Sequence, residues 1–268
     1  MSKLRTSPEP TPLHWKMVRW LLWRELRRTC HRHLANRTLH DEGGAAMRWL
    51  RQDRDRFLET LDQIVEEMRK VAGLHALPNG GSRLMVELAV YTVAADAALR
   101  RHGVRTDCAH SVVADIGWDL YRRMLRLSSL PARIASRDPG RRLRWTIRAL
   151  LVFPFRPVGA PGYETRVFRE GDDLHTHFTH CPPQSFARRV ATHHEDPELL
   201  EAFRQSWCLY DWPGADLIAG DGQRGHYRRP STLSAGDPVC DMCWRARSAK
   251  RTDRTEDTSW SDEGAGVE

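Results

Sequence analysis

"YETRVFREGDDLHTHFTHC", Tyr163 to Cys181, is the stretch where the chain stops reading as helix. Val167 and Phe168 stand before a Gly-Asp-Asp turn, and Leu174 and Phe178 alternate with polar residues after it. Apolar residues at a period of two, broken by glycine and aspartate, predict two strands joined by a tight turn. Pro154, Pro157 and Pro161 mark a loop just ahead of this hairpin.

Upstream the period changes to that of helices. From Pro12, "PLHWKMVRWLLWRELRRTCHRHLANRT" carries Val18, Leu22 and Leu26 four apart, with Trp15, Trp20 and Trp23 widening the apolar face. That face either docks on the core or lies on a membrane surface between flanking arginines. Met47, Leu50, Phe57, Leu61, Ile64, Met68 and Val71 recur at helical intervals and predict an amphipathic helix over 46–72. A further helix is expected from Ser82 to Gly103, and another behind Thr106 as N-cap. Residues 130–150 read as helical, interrupted by "DPG" at Asp138.

Downstream of the hairpin, "PPQSFARRVATHHEDPELLEAFRQSWCLYD" predicts a helix broken near Pro197. "GHYRR" and "PVCDMCW" are candidate strands separated by "PSTLSAGD". The expected fold class is α+β: a predominantly helical N-terminal two-thirds, then a small antiparallel sheet and loops that form a pocket. Residues 1–11 and 246–268 are polar and expected to be disordered tails, 12–81 to hold the N-terminal helices, and 82–245 to form the domain with the chemistry.

The 268 residues are 40% hydrophobic, enough to bury a core, and the formal charge of +7 comes from arginines interleaved with acids. No run of one sign and no nucleic-acid module accompanies that charge, so a small-molecule partner is expected rather than DNA or RNA. The opening "MSKLRTSPEPTPLHW" lacks an apolar signal core, and "ALLVFPF" is far shorter than the roughly 20 residues of a membrane span, so neither secretion nor integral membrane association is expected, and the location is expected to be cytoplasmic. Six cysteines at uneven spacing would be thiols there, free for chemistry, metal or burial.

Three clusters carry chemistry. In "HTHFTHC", His175 and His177 would share one face of a strand, as metal ligands or as solvent-facing polar residues. Cys208 and Asp211 are spaced C-x-x-D and share a helical face if the preceding helix continues through them. A carboxylate raises a thiol's pKa, so activation of Cys208 would need a base or cation from elsewhere, with His180 and His226 as candidates. "CDMC", Cys240 to Cys243, is half of a zinc site with no second half in sequence.

The ordered set "THCP" with Cys181, "WCLYD" with Cys208 and Asp211, and "YRRPSTLSAGDPVCD" from Tyr227 through Arg229, Thr232, Leu233 and Gly236 to Cys240 and Asp241 resembles the L-2-amino-thiazoline-4-carboxylic acid hydrolase family. The helical stretch from Glu87 to Leu125 is similar to the helix pair ahead of that family's sheet, and the resemblance spans about 82–245. It departs where Met242 and Cys243 follow Asp241, a place where the family commonly continues with Phe. The resemblance implies opening of a cyclic amidine, 2-amino-thiazoline-4-carboxylate giving N-carbamoyl-cysteine. It implies catalytic roles for Cys208, Asp211, Cys240 and Asp241, either cysteine being the nucleophile and either aspartate the amidinium partner. Substrate binding then falls to Arg229, Thr232 and Cys181, with Arg229 either on a substrate carboxylate or paired with Asp237 or Asp241. No cofactor is required on that reading. The alternative is a non-catalytic ligand- or metal-binding protein holding zinc or another transition metal through Cys181, Cys208, Cys240, Cys243, His175 and His177.

Overall fold

The computed structural model describes residues 13–247. Among them the order of elements is α1 (Leu13–Asn36), β1 (Leu39–His40), β2 (Ala46–Met47), α2 (Arg51–Ala72), α3 (Gly80–Arg101), α4 (Thr106–Ala135), α5 (Pro139–Val152), β3 (Glu164–Glu170), β4 (Asp173–His180), α6 (Pro182–His193), α7 (Glu198–Gln205), α8 (Asp211–Ala219), β5 (Tyr227–Arg228) and β6 (Cys240–Trp244). This is an α+β fold, mainly helical, with its larger sheet toward the C-terminus. The expected tail 1–11 lies outside the described residues, as does 248–268 of the second tail. Of the remaining two tail positions, Ala246 donates its N–H to Asp173 Oδ1 at 2.7 Å.

Helix α3 is the central element, because small and branched side chains (Val86, Ala89, Val90, Val93, Ala94, Ala98) let its neighbours approach from several sides. α2 packs on it and buries Phe57, Leu61, Ile64 and Met68 of the stripe read from the sequence, with Leu58 and Val65 beside them. α1 closes the bundle with Leu26, Cys30 and Leu34, while Trp20 is left 56% exposed. α4, α6 and α7 complete the helical core.

Four boundaries differ from the sequence reading, each for a local reason. α2 starts at Arg51, since Ala46 and Met47 pair with Leu39 and His40 in a ribbon and Leu50 serves as an exposed N-cap. Asn79, not Ser82, caps α3, its side chain accepting from the Ser82 N–H at 2.8 Å. Thr106 is the first helical residue of α4 rather than its cap, which is Arg105. "DPG" opens α5: Asp138 accepts from Arg141 N–H at 2.6 Å and Pro139 takes the first turn, where a missing N–H leaves no bond unmade.

The sheet has the strand order β3-β4-β6-β5, antiparallel throughout. Glu170 pairs with Asp173, so Gly171 and Asp172 form a two-residue loop, and Gly171 with φ 57° stands where such a loop needs a residue free of a Cβ. Leu174, Thr176 and Phe178 of β4 point inward, and His175 and His177 share the outer face as read from the sequence. In β6 the same alternation turns Cys240, Met242 and Trp244 inward and Asp241 and Cys243 outward.

Candidate active site

Between the inner face of the sheet and helices α3, α4, α5 and α8 lies a cavity of about 110 Å³. It is smaller than a ~150 Å³ cavity that holds benzene, so a ligand larger than benzene enters only if the walls give way. Its walls are mostly apolar and aromatic: Tyr121, Phe155, Tyr163, Phe178, Trp207 and Trp244 all contribute. Into it project three thiols, from Cys181, Cys208 and Cys240, and one ion pair, Asp211 with Arg229.

Asp211 sits in the first turn of α8, and its Oδ2 lies 3.7 Å from Arg229 Nη1. Tyr227, on β5, donates its hydroxyl to the same oxygen at 3.2 Å. Burial pushes the Asp211 carboxyl up to about 6, with Arg229 and Tyr227 pulling it back only in part. The Arg229 guanidinium lies over the Trp212 ring at 4.7 Å and is itself almost fully buried. Burial works against its charge, yet Tyr227, Cys208 and Asp211 around it hold its pKa above the ordinary value.

Cys208 Sγ is 3.1 Å from Ser234 Oγ, and burial raises its thiol to about 11, against the pull of Arg229. Burial places the Cys181 thiol far above its ordinary value, with Cys240 nearby adding to the effect. Cys240 differs in its partners. Its sulfur accepts the Leu233 N–H at 3.2 Å and lies 3.4 Å from Thr232 Oγ1. The loop that supplies those groups is tied by Thr232 N–H to Asp237 Oδ2 at 2.7 Å, and by Arg188 and Gln184 to Leu233 O.

The structure therefore brings Cys181, Cys208, Asp211, Arg229 and Cys240 to one cavity, with Thr232 behind Cys240. Cys208 and Asp211 do not share a continuous helix: α7 ends at Gln205 and α8 begins at Asp211, and the turn between them aims both inward. Asp241 is on the opposite face of the sheet, where its Oδ1 is 2.6 Å from His177 Nε2. The alternative ligand set divides likewise, with Cys243, His175 and His177 outside and the other three cysteines inside. Among the described residues no histidine lines the cavity: His180 bonds Gly162 O at 2.6 Å and Ser185 Oγ at 3.1 Å, and His226 bonds Arg245 O and Asp221. Arg229 pairs with neither Asp237 nor Asp241.

Sequence reasoning assigned no role to Tyr227, Trp212, Ser234 or the aromatic wall. The wall could not be read because Tyr121, Tyr163 and Trp207 come from parts of the chain far apart. Tyr227 and Trp212 were within reach, each lying next to a residue already singled out. No family model, curated protein or solved structure matches the chain.

Proposed function

We propose that the chain is a hydrolase that opens a small cyclic amidine, with Asp211 as general base and Arg229 as carboxylate anchor. The observation that carries this reading is the Asp211–Arg229–Tyr227 group, an ion pair with a hydroxyl donor at a mostly apolar cavity, its carboxyl pushed up to about 6 by burial. A general base works best when its pKa lies close to the ambient pH, and Asp211 meets that condition where the raised thiols of Cys208 and Cys181 do not. A planar guanidinium held on Trp212 can take a carboxylate through two parallel hydrogen bonds.

For a 2-amino-thiazoline-4-carboxylate the step balances with water alone. Asp211 accepts a proton as the water oxygen bonds to the amidine carbon. That proton goes to the ring nitrogen, which takes up the C=N electron pair; the ring carbon–sulfur bond then breaks with its electrons going to sulfur, and the new hydroxyl gives its proton to that sulfur through Asp211, leaving a carbamoyl group and a free thiol. Asp241, turned to the other face, has no part in this scheme. A covalent route would run through Cys240, whose sulfur accepts the Leu233 N–H at 3.2 Å and lies beside Thr232 Oγ1.

Incubation of the purified chain with 2-amino-thiazoline-4-carboxylate, followed by thiol release, tests the reading. Turnover abolished by Asp211→Asn but retained by Cys240→Ala supports water activation; loss with Cys240→Ala as well assigns the covalent route. Absence of both turnover and thermal stabilisation by this compound and its ring analogues would sink the proposal, since a ligand at ~100 times Kd stabilises by about 2.7 kcal/mol.

A further inference from the structure

The outer face of the sheet holds a second group of chemically capable side chains, none of which the proposed reaction uses. We infer that His175 and His177 of β4 and Asp241 of β6 form a binding site for a divalent first-row transition metal. One ligand atom from each lies within 4.8 Å of the others. The backbone sets this up: His175 and His177 are two apart on one strand, and His177 is the register partner of Asp241 on the next.

The hydrogen bonding points the same way. His177 Nε2 is 2.6 Å from Asp241 Oδ1 but out of line for a hydrogen bond, and it has no other partner. His175 Nδ1 is also buried without a partner. Two imidazole nitrogens withdrawn from water and left unbonded are unfavourable unless something accepts their lone pairs. The rings are held in place by one residue: Phe168 stacks on His175 at 4.8 Å and 10° and meets His177 edge-on at 4.8 Å and 82°. Ligands held rigidly in this way lose little freedom when an ion arrives.

Two imidazoles and a carboxylate suit zinc and its first-row neighbours, whereas calcium and magnesium favour sets made of oxygen. The local charge is mixed. Glu170, 3.6 Å from His175 Nε2, and Asp173 favour a cation, while Arg166 and Arg228 stand on the same face in register. Cys243, opposite His175, faces the same way and is the nearest thiol in register for a fourth position. A metal here would clip β4 to β6 from behind, with no demand on the cavity chemistry.

Equilibrium dialysis of untagged, chelator-stripped full chain against Zn²⁺ alone is the test. We expect one equivalent bound, with His177→Ala and Asp241→Asn each weakening it tenfold or more. His193→Gln, on helix α6, should leave it unchanged. Circular dichroism shows whether each variant is folded, and His175→Gln serves if an alanine variant is not. Failure of the folded wild type to bind one equivalent, or binding untouched by His175→Ala/His177→Ala, overturns the site. Because the readout is metal content, its outcome is independent of whether any amidine is hydrolysed.

Discussion

Asp211 is a carboxyl whose folded-state pKa, about 6, lies above that of an unfolded aspartate, about 4. The protonated group therefore contributes stability that is fully present below about pH 4 and lost as the pH rises through about 6. Asp96, also raised to about 6 by burial against the pull of Arg100, adds a similar slope, so the wild type alone does not isolate either. The difference between wild type and Asp211→Asn does. Urea unfolding at pH 4, 5, 6 and 7 should show the Asp211 part of the slope vanish in the variant, and an unchanged slope would mean that the carboxyl is not buried as described. Arg229 is one of the two groups that pull Asp211 down. Arg229→Gln should move the lower limb of the pH–rate profile to higher pH, and Arg229→Lys, lacking the planar fork, should raise KM for a carboxylate-bearing substrate more than for its decarboxylated analogue.

At the scale of elements, Glu87 joins three helices. It is fully buried on α3 and receives Arg69 Nε of α2 at 2.8 Å and Arg19 Nη2 of α1 at 3.2 Å, while Arg69 also donates to Tyr91 at 2.7 Å. Removing one member of such a network strands a buried charge, so Glu87→Ala should lower the unfolding free energy by about 3–5 kcal/mol in urea melts. Gly117 on α4 is a second junction: a Cβ there would meet Tyr210 Oη at 2.2 Å, so Gly117→Ala should displace the residue that precedes Asp211 and cost about 1–3 kcal/mol. The helices and the hairpin were legible in the sequence because their periods, 3.6 and 2, were local and clean, as in α2 and β4. The start of α2 was not, since Met47 fits the helical period but is claimed by pairing with Leu39, a contact between residues that periodicity does not join. In the site, Cys208, Asp211 and Arg229 were legible as a motif. Asp241 stands apart from that motif, because strand alternation from the inward Cys240 sends it to the outer face.

At the scale of the whole molecule, the charge of +7 is carried by arginines interleaved with acids along the sequence. Several arginines of the helical part are paired within the fold: Arg32 and Arg122 with Asp119, Arg37 with Asp115, Arg100 with Asp96 and Asp196. Fluorescence anisotropy with duplex DNA or single-stranded RNA at physiological salt should therefore show no saturable binding, and a complex that persists there would contradict this account. Among the described residues no helix is long and apolar enough to cross a membrane.

The six free cysteines fall into three depths: Cys30 in the helical core, Cys181, Cys208 and Cys240 at the cavity wall, Cys108 and Cys243 partly open to solvent. A thiol-alkylating reagent followed by mass spectrometry thus runs three clocks in a single tube. Surface sulfurs report the reagent, the three cavity thiols report how often the sheet breathes away from the helices, and Cys30 reports opening of the helical core. A molecule seated in the cavity would slow the middle clock without touching the first, so the protein carries its own probe of occupancy even before a substrate has been found.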